Sequence, residues 1–307
     1  MAATPQHRGN LLLIGGSGFA SGTIARVAQR RGYRVWAITR GQRQLPEGVT
    51  GLEADRHDSA AFERAVDRPG VRWDFVVDCI GFMAPDARQD VAVFRQRAPQ
   101  LAFISSDFVF DPARRRFPQP EETENYLADD SYGANKRRCE LELLNGDCGD
   151  MEWTIVRPCH IYGPGSQLGC LPLHGRDPLL IARLRAGEGL KLVGGGYFLQ
   201  QPIFVRDLAN VILSAHGNPN AYRQIYCTAG PDIIESRDYY ETVAEVLGVG
   251  LEVEEIPVDA YRREHPENVS FLCHRIYSLD KLSAHGLDVP STPINSGLRE
   301  HTKSLLP

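Results

Sequence analysis

Short apolar runs alternate with amphipathic stretches over the first half of the chain. LLLIG (11–15), YRVWAIT (33–39), DFVVDCIG (74–81), LAFISS (101–106) and WTIVRP (153–158) read as strands, and GVTGLEAD (48–55) ends a further one. Between them the apolar spacing predicts helices over 21–31, 57–66, 86–98 and 131–146; an acidic residue opens the second and Gly146 ends the last. Strands with little polar alternation, each followed by a helix, predict an α/β fold: a Rossmann-like, doubly wound parallel sheet covered on both faces. After Gly163 the pattern breaks into HIYGPGSQLGCLPLHGRDP (160–178), which is rich in glycine and proline and loop-like. A strand-helix unit returns at PIFVRDLANVILSAH (202–216). The expected plan is a nucleotide-binding domain over 1–163, rejoined by 202–230, and a smaller C-terminal substrate lobe made of 164–201 and 231–307.

The first strand runs into Gly15-Gly16-Ser17-Gly18-Phe19. A strand-to-helix turn this bare lets backbone N–H groups approach a pyrophosphate, with the helix N-terminus adding favourable partial charge. Gly15 and Gly18 fit the G-x-x-G spacing, while the next slot holds Ser21, with glycine displaced to Gly22. A serine there still serves as a helix cap. The second strand ends in Thr39-Arg40-Gly41, with Arg43 nearby, where a carboxylate would grip the ribose hydroxyls of NAD. A cation suits a 2′-phosphate, so the expected cofactor is NADP(H), with NAD as the alternative. Asp55 is placed to meet the adenine amine, and Arg56 to stack on the ring or reach the phosphate. The loop Cys79-Ile80-Gly81-Phe82 brings backbone against the cofactor at Gly81; Cys79 reads as a small core residue and Phe82 as facing the substrate.

The helix at 131 opens Ser131-Tyr132-Gly133-Ala134-Asn135-Lys136. Tyrosine and lysine four apart share one helix face. An ammonium and a cationic nicotinamide would lower the phenol and fit it for proton transfer. Ser106, with Ser105 beside it, ends the neighbouring strand and is placed to polarise a substrate oxygen.

Charge and composition narrow the picture. The 307 residues carry a net charge of −5, so no global basic field draws in nucleic acid, and ARRRF (113–117) reads as a solvated loop. Seven cysteines with irregular spacing and no CxxC argue against a disulfide framework or a structural zinc site. The adjacent pairs Cys159-His160 and Cys273-His274 point to opposite faces of a strand and make no metal clamp. No run approaches the ~20 apolar residues of a membrane span, and MAATPQHRGN lacks a signal-peptide core, so a cytoplasmic protein is expected.

Taken together, GGSGFASG, the strand-end SSDFVF, YGANK, VRPCHIYGP, FVRDLANVI and the tail RIYSLDKLSAHGLDVP resemble the extended short-chain dehydrogenases/reductases, the NAD(P)-dependent epimerase/dehydratase group. The resemblance covers nearly the whole chain. It implies catalytic roles for Ser106, Tyr132 and Lys136, cofactor contacts around Ser17, Phe19, Pro158 and His160, and a homodimer through helices 86–98 and 131–146. The family's 4,6-dehydratases place an acid-base pair after the serine or threonine. Asp107-Phe108 stands here, and phenylalanine takes no proton. SSDFVFDP is closest to dTDP-4-dehydrorhamnose reductases, which implies reduction of a keto group on a sugar or nucleotide-sugar; an epimerase that retains its cofactor is the alternative. UDP-glucose 4-epimerases read the substrate diphosphate with an arginine in the slot that here holds Gln200 or Gln201, and Arg206 lies in the following segment. Tyr162 and His160 are placed to line the pocket. A further alternative is a non-catalytic nucleotide- or RNA-binding member, since TRG also resembles the chloroplast stem-loop RNA-binding branch; the net charge and the intact Ser-Tyr-Lys set speak against nucleic acid.

Overall fold

A computed structural model describes residues 7–173 and 175–307. The first six residues of the expected nucleotide-binding domain, and His174 in the Gly/Pro-rich stretch, lie outside the described residues.

The chain begins β1 (Gly9–Ile14), α1 (Phe19–Arg30), β2 (Tyr33–Thr39), β3 (Thr50–Glu53), α2 (Ser59–Asp67), β4 (Phe75–Asp78), α3 (Ala84–Phe94), β5 (Gln100–Ile104), α4 (Tyr132–Asn145) and β6 (Glu152–Pro158). It continues through β7 (Ile161–Tyr162), α5 (Leu180–Arg185), β8 (Leu190–Val193), β9 (Leu199–Gln200), β10 (Ile203–Phe204), α6 (Val205–Ser214), β11 (Gln224–Thr228), β12 (Ile234–Glu235), α7 (Ser236–Leu247) and β13 (Val253–Ile256). Helices α8 (Val258–Glu264), α9 (Asp280–Ala284) and α10 (Ile294–Ser304) follow.

Seven strands form one parallel sheet in the order β11-β6-β5-β4-β1-β2-β3. The winding reverses between β1 and β4. Leu11, Leu12, Leu13 and Ile14 are all fully buried, which the run of four apolar residues requires. Leu11 and Leu13 pack with Ile24 of α1 and Leu208 and Ile212 of α6 on one face. Leu12 and Ile14 pack with Phe62 of α2, Phe94 of α3 and Leu143 of α4 on the other. Each such side chain contributes about 1.5–3 kcal/mol of burial as an upper estimate.

A further apolar core joins Tyr162, Leu180, Leu184, Leu190, Tyr239, Tyr240 and Leu298. Around it run three two-stranded pairings, β10-β7, β12-β9 and β13-β8. Tyr277, Leu282 and Leu287 pack back onto the sheet and α6. Among the described residues no helix is long and apolar enough to cross a membrane.

Two strands stop short of the apolar runs that predict them. β4 ends at Asp78, whose carboxylate accepts the Ile80 N–H at 2.7 Å, and β5 ends at Ile104, after which the Ser106 hydroxyl accepts the Phe108 N–H at 3.2 Å. These side-chain bonds compete with the ladder and turn the chain over the edge of the sheet. Both turns therefore sit at the carboxyl ends of the strands, after β4 and β5, next to the β1–β4 pair where the winding reverses.

Candidate active site

A cleft of about 1360 Å³ lies along this edge. It runs from Arg40 and Asp55, past the glycine loop, to Tyr132 and Arg176. Ligands of doubly wound sheets bind in this crevice, beside the strand pair where the winding reverses.

The glycine loop fits a dinucleotide. Gly15 and Gly16 adopt φ of +93° and +146°, and a Cβ on Gly16 would stand 2.6 Å from the Ala37 Cβ. The Ser21 hydroxyl accepts the Gly18 N–H at 3.0 Å, so the serine in the third slot helps to cap α1. No acidic residue stands in the first turn of α1 to oppose an anion. Ser17, Gly18 and Phe19 all border the cleft.

At the far end, Arg40 and Arg43 are exposed and make no hydrogen bond or ion pair with another described residue, and Asp55 lies beside them. Arg56 departs from its expected role. It is buried, and its guanidinium bonds Asp78 and Asp90 at 3.0 Å each and the Asp86 carbonyl at 2.8 Å. Those carboxylates hold it away from any ring or phosphate. Asp86 in turn accepts the N–H groups of Phe82 and Met83 at 2.9 and 3.0 Å. The cluster thereby fixes the turn from Cys79 to Met83, in which Gly81 does not border the cleft as expected: its carbonyl accepts from Lys136, and a Cβ there would meet Asp78 and Phe103.

At the other end Ser106, Tyr132 and Lys136 come together along the cleft. Ser131 caps α4 by accepting the Ala134 N–H at 3.3 Å. Gly133 lets the helix start against the turn after β5; a Cβ there would lie 1.9 Å from the Phe108 carbonyl oxygen. Tyr132 remains half exposed, with the rings of Phe82 and Phe108 beside it. Its partial burial raises the phenol above its ordinary value, and the neighbouring Ser106 hydroxyl pulls it the other way. The expected lowering by Lys136 is not what this arrangement does. Lys136 is buried and donates to the carbonyls of Gly81 (2.7 Å) and Ile104 (2.5 Å), tying the turns after β4 and β5 together. Burial pulls its ammonium below the ordinary lysine value, with Asp78 opposing. Ser105 does not face a substrate: it donates to Glu140 at 2.5 Å, which also holds Arg157 at 2.7 and 2.8 Å.

Several expected substrate contacts are placed elsewhere. Asp107 borders the cleft, but its carboxylate is taken up by Arg275 and by the Tyr277 hydroxyl (2.6 Å), with Arg115 at 3.7 Å. These partners hold it below the usual carboxylate range. Tyr162 is a core residue, 1% exposed, packed on Phe204 and Tyr239. Gln200 is buried in β9 away from the cleft lining, and Arg206 sits on the surface paired with Glu300 at 2.7 Å. Pro158, Cys79, Phe82 and His160 do border the cleft. Burial and the Arg176 charge bring His160 down to about 4, so it is neutral at ordinary pH. Cys79 is pushed far above the usual thiol range by burial and Asp78, which leaves it inert as a nucleophile.

The cleft also gathers Met83, Leu127, Arg176, Glu267, Ser270 and Phe271, which the sequence reading does not single out. They stand in irregular loops and short turns where no periodicity marks a face. For Gly133 a local sign existed, a glycine between the tyrosine and the lysine in a helix.

A doubly wound parallel sheet with a bare glycine loop at its crevice and a Ser-Tyr-Lys set beside it defines an α/β protein of the Rossmann type. The chain belongs to the NAD dependent epimerase/dehydratase family, whose model matches residues 11–227. It is 27% identical over 235 residues to the chloroplast stem-loop binding protein of 41 kDa b of Arabidopsis thaliana, covering 72% of this chain and 58% of that protein. The chain thus spans less than two thirds of that relative's length. Its fold is shared by the UDP-glucose 4-epimerase of Thermus thermophilus, solved with NAD, at TM-score 0.74 and 19% identity over 96% of this chain and 98% of that one. It is also shared by the dTDP-glucose 4,6-dehydratase of Bacillus anthracis, solved with NAD, at TM-score 0.74 and 16% identity over 96% of each chain.

Proposed function

We propose that the protein is an NADP(H)-dependent oxidoreductase of the extended short-chain dehydrogenase/reductase kind, reducing a keto group on a sugar-like substrate. The observation that carries this reading is one cleft with the Ser106 and Tyr132 hydroxyls at one end and the unpaired Arg40 and Arg43 at the other. Residues 1–163 with 202–230 would hold the dinucleotide, and 164–201 with 231–307 would face the substrate. The seven cysteines are all free thiols, which suits a cytoplasmic site of action, and α3 and α4 are the proposed dimer faces.

Bound NADP(H) would supply a hydride to the carbonyl carbon. Ser106 holds the substrate oxygen, and Tyr132, protonated at neutral pH, gives it a proton. Lys136 fixes the turns that carry both hydroxyls. Dehydration is disfavoured on two counts: Phe108 carries no base, and Asp107 is locked as an ionised partner of Arg275. Gln200 and Arg206 stand outside the cleft, so a substrate diphosphate has no grip on either, which favours a keto sugar over its nucleotide-linked form.

Two other readings have support. The epimerase structures that share this fold favour cofactor-retaining epimerisation through the same Ser106 and Tyr132. The stem-loop binding protein at 27% identity favours an RNA-binding role. Against the latter, two of the three arginines at 114–116 are engaged: the Arg115 side chain is buried against Asp107 and Tyr277, and Arg114 bonds Asp111 at 2.7 Å.

The deciding experiment releases any nucleotide carried by the purified protein, identifies it by mass, and titrates the emptied protein with NADPH and NADH. A preference for NADPH, followed by its oxidation in the presence of a keto sugar, supports the reductase. Retained NAD⁺ supports the epimerase. Absence of binding to either, with salt-dependent affinity for an RNA stem-loop, overturns both.

A further inference from the structure

The glycine loop supplies N–H groups to a pyrophosphate but no cationic side chain. The first residues of α1, Phe19-Ala20-Ser21-Gly22, carry no charge, and the whole protein is acidic. Two phosphate charges buried in such a cleft call for a cation from another wall.

Five cationic side chains border the cleft: Arg40, Arg43, Arg56, Lys136 and Arg176. Arg56 is spent on three aspartates, and Lys136 on two carbonyls. Arg40 and Arg43 stand by the end of β2, at the ribose end. Arg176 remains. It is exposed and makes no hydrogen bond or ion pair with another described residue. Its guanidinium lies 5.8 Å from the ring centre of Phe19, the first residue of α1. Such a contact orients the fork without using its hydrogen-bond donors. The chain leading to it passes over the same ring: a Cβ on Gly165 would stand 3.5 Å from Phe19 Cδ2. Its charge also reaches Tyr132 and His160, drawing both downward. Arg176 therefore stands between the glycine loop and the catalytic tyrosine, the stretch a dinucleotide crosses from its phosphates to its nicotinamide.

We propose that Arg176, carried on the loop between β7 and α5, closes over the glycine loop and holds the cofactor pyrophosphate from the side opposite the sheet. The proposal rests on the dinucleotide reading of the cleft. It assigns to the substrate side of the cleft a direct part in cofactor retention.

The test uses the full chain freed of nucleotide, with wild type, Arg176→Met and Arg176→Lys titrated by NADPH and by adenosine 2′-phosphate, which lacks the pyrophosphate. Arg176→Met is expected to weaken NADPH about tenfold, with Arg176→Lys recovering part of the loss, and to leave adenosine 2′-phosphate unchanged. Unchanged NADPH affinity in Arg176→Met overturns the proposal. So does an equal loss for both ligands, which would place the arginine on the adenosine half. A wild-type chain that binds adenosine 2′-phosphate and NADPH equally well would show that the pyrophosphate gains nothing here, and would also overturn it. If wild type binds neither, the dinucleotide reading fails first and takes the clasp with it.

Discussion

Asp78 and Asp90 meet at the guanidinium of Arg56, each 3.0 Å from one of its nitrogens. All three groups are buried, and Asp86 adds a third carboxylate at 3.4 Å. One guanidinium does not neutralise this set. Asp78 is held below the usual carboxylate range by Arg56 and the Ile80 N–H, despite its burial. Asp90 is driven well above it by burial and by Asp78. One Asp90 oxygen is buried and reached by no donor, as a protonated oxygen would be. The pair is therefore expected to share one proton, with Asp90 the side on which charge is more disfavoured.

The two aspartates are predicted to respond in opposite ways to the same change. Asp90→Asn removes the carboxylate whose charge burial and Asp78 disfavour, and should alter stability by less than about 1 kcal/mol. Asp78→Asn removes the ionised partner of a buried guanidinium and should cost about 3 kcal/mol or more. Urea denaturation at neutral pH measures both. The pH dependence supplies a second check. Because the folded value of Asp90 is raised, its contribution is complete in acid and is lost as pH rises through that value. Wild type should therefore lose stability as pH rises from the ordinary aspartate value toward the raised one, and Asp90→Asn should lose less. Equal losses in the two variants at neutral pH would rule out the shared proton.

Arg275 and Arg206 give a contrast between a buried and an exposed ion pair. Arg275→Met leaves Asp107 ionised and buried, with Arg115 at 3.7 Å, and is expected to cost about 3–5 kcal/mol. Arg206→Ala breaks a surface pair with Glu300 and should cost no more than about 1 kcal/mol. The Arg206 variant should also leave substrate KM unchanged, since its side chain lies off the cleft. A raised KM in Arg206→Ala would restore it as a substrate contact.

The parts of this molecule that are legible in its sequence are those set by local periodicity. LLLIG and YRVWAIT are buried on both faces and read as central strands, and the spacing from Tyr132 to Lys136 places both on one helix face. What is not legible depends on distant partners. Asp107 looks like a substrate acid because it follows Ser106, yet its carboxylate is claimed by Arg275 and Tyr277, some 168 and 170 residues onward. Arg56 looks free beside Asp55 until β4 and α3 bring Asp78, Asp86 and Asp90 around it. Tyr162 follows a strand into an expected pocket, but the C-terminal helices arrive to bury it. Each of these residues reads one way from its neighbours in sequence and is held another way by its neighbours in space.

Arg40 separates the two nicotinamide cofactors. It is exposed and unpaired, so Arg40→Ala should not disturb folding. With Arg43 beside it, loss of one cation should weaken NADPH about tenfold and leave NADH unchanged within a factor of about two. Fluorescence titration of the emptied protein reads both affinities. The double variant Arg40→Ala/Arg43→Ala should remove the preference altogether. A preference that survives the double variant would assign 2′-phosphate recognition to other residues and reopen NAD as the cofactor.

Tyr132 carries the last and most demanding prediction. Tyr132→Phe keeps the ring between Phe82 and Phe108 and removes only the hydroxyl, so NADPH affinity should change little. Turnover should fall by about a hundredfold or more, the range of a lost general acid. Ser106→Ala should also lower turnover, with less effect on its pH dependence, because the serine holds the oxygen and does not titrate. The pH profile follows from the sign of the phenol shift. Burial raises Tyr132 above its ordinary value, so the protonated form that donates in reduction persists through neutral and mildly alkaline pH. Reduction measured as kcat/KM should therefore be flat up to about pH 9, while the reverse oxidation, which needs the phenolate, should rise with pH over the same range. A reduction rate that falls between about pH 7 and pH 8 would mean that a different group supplies the proton; His160, neutral at these pH values, is not that group.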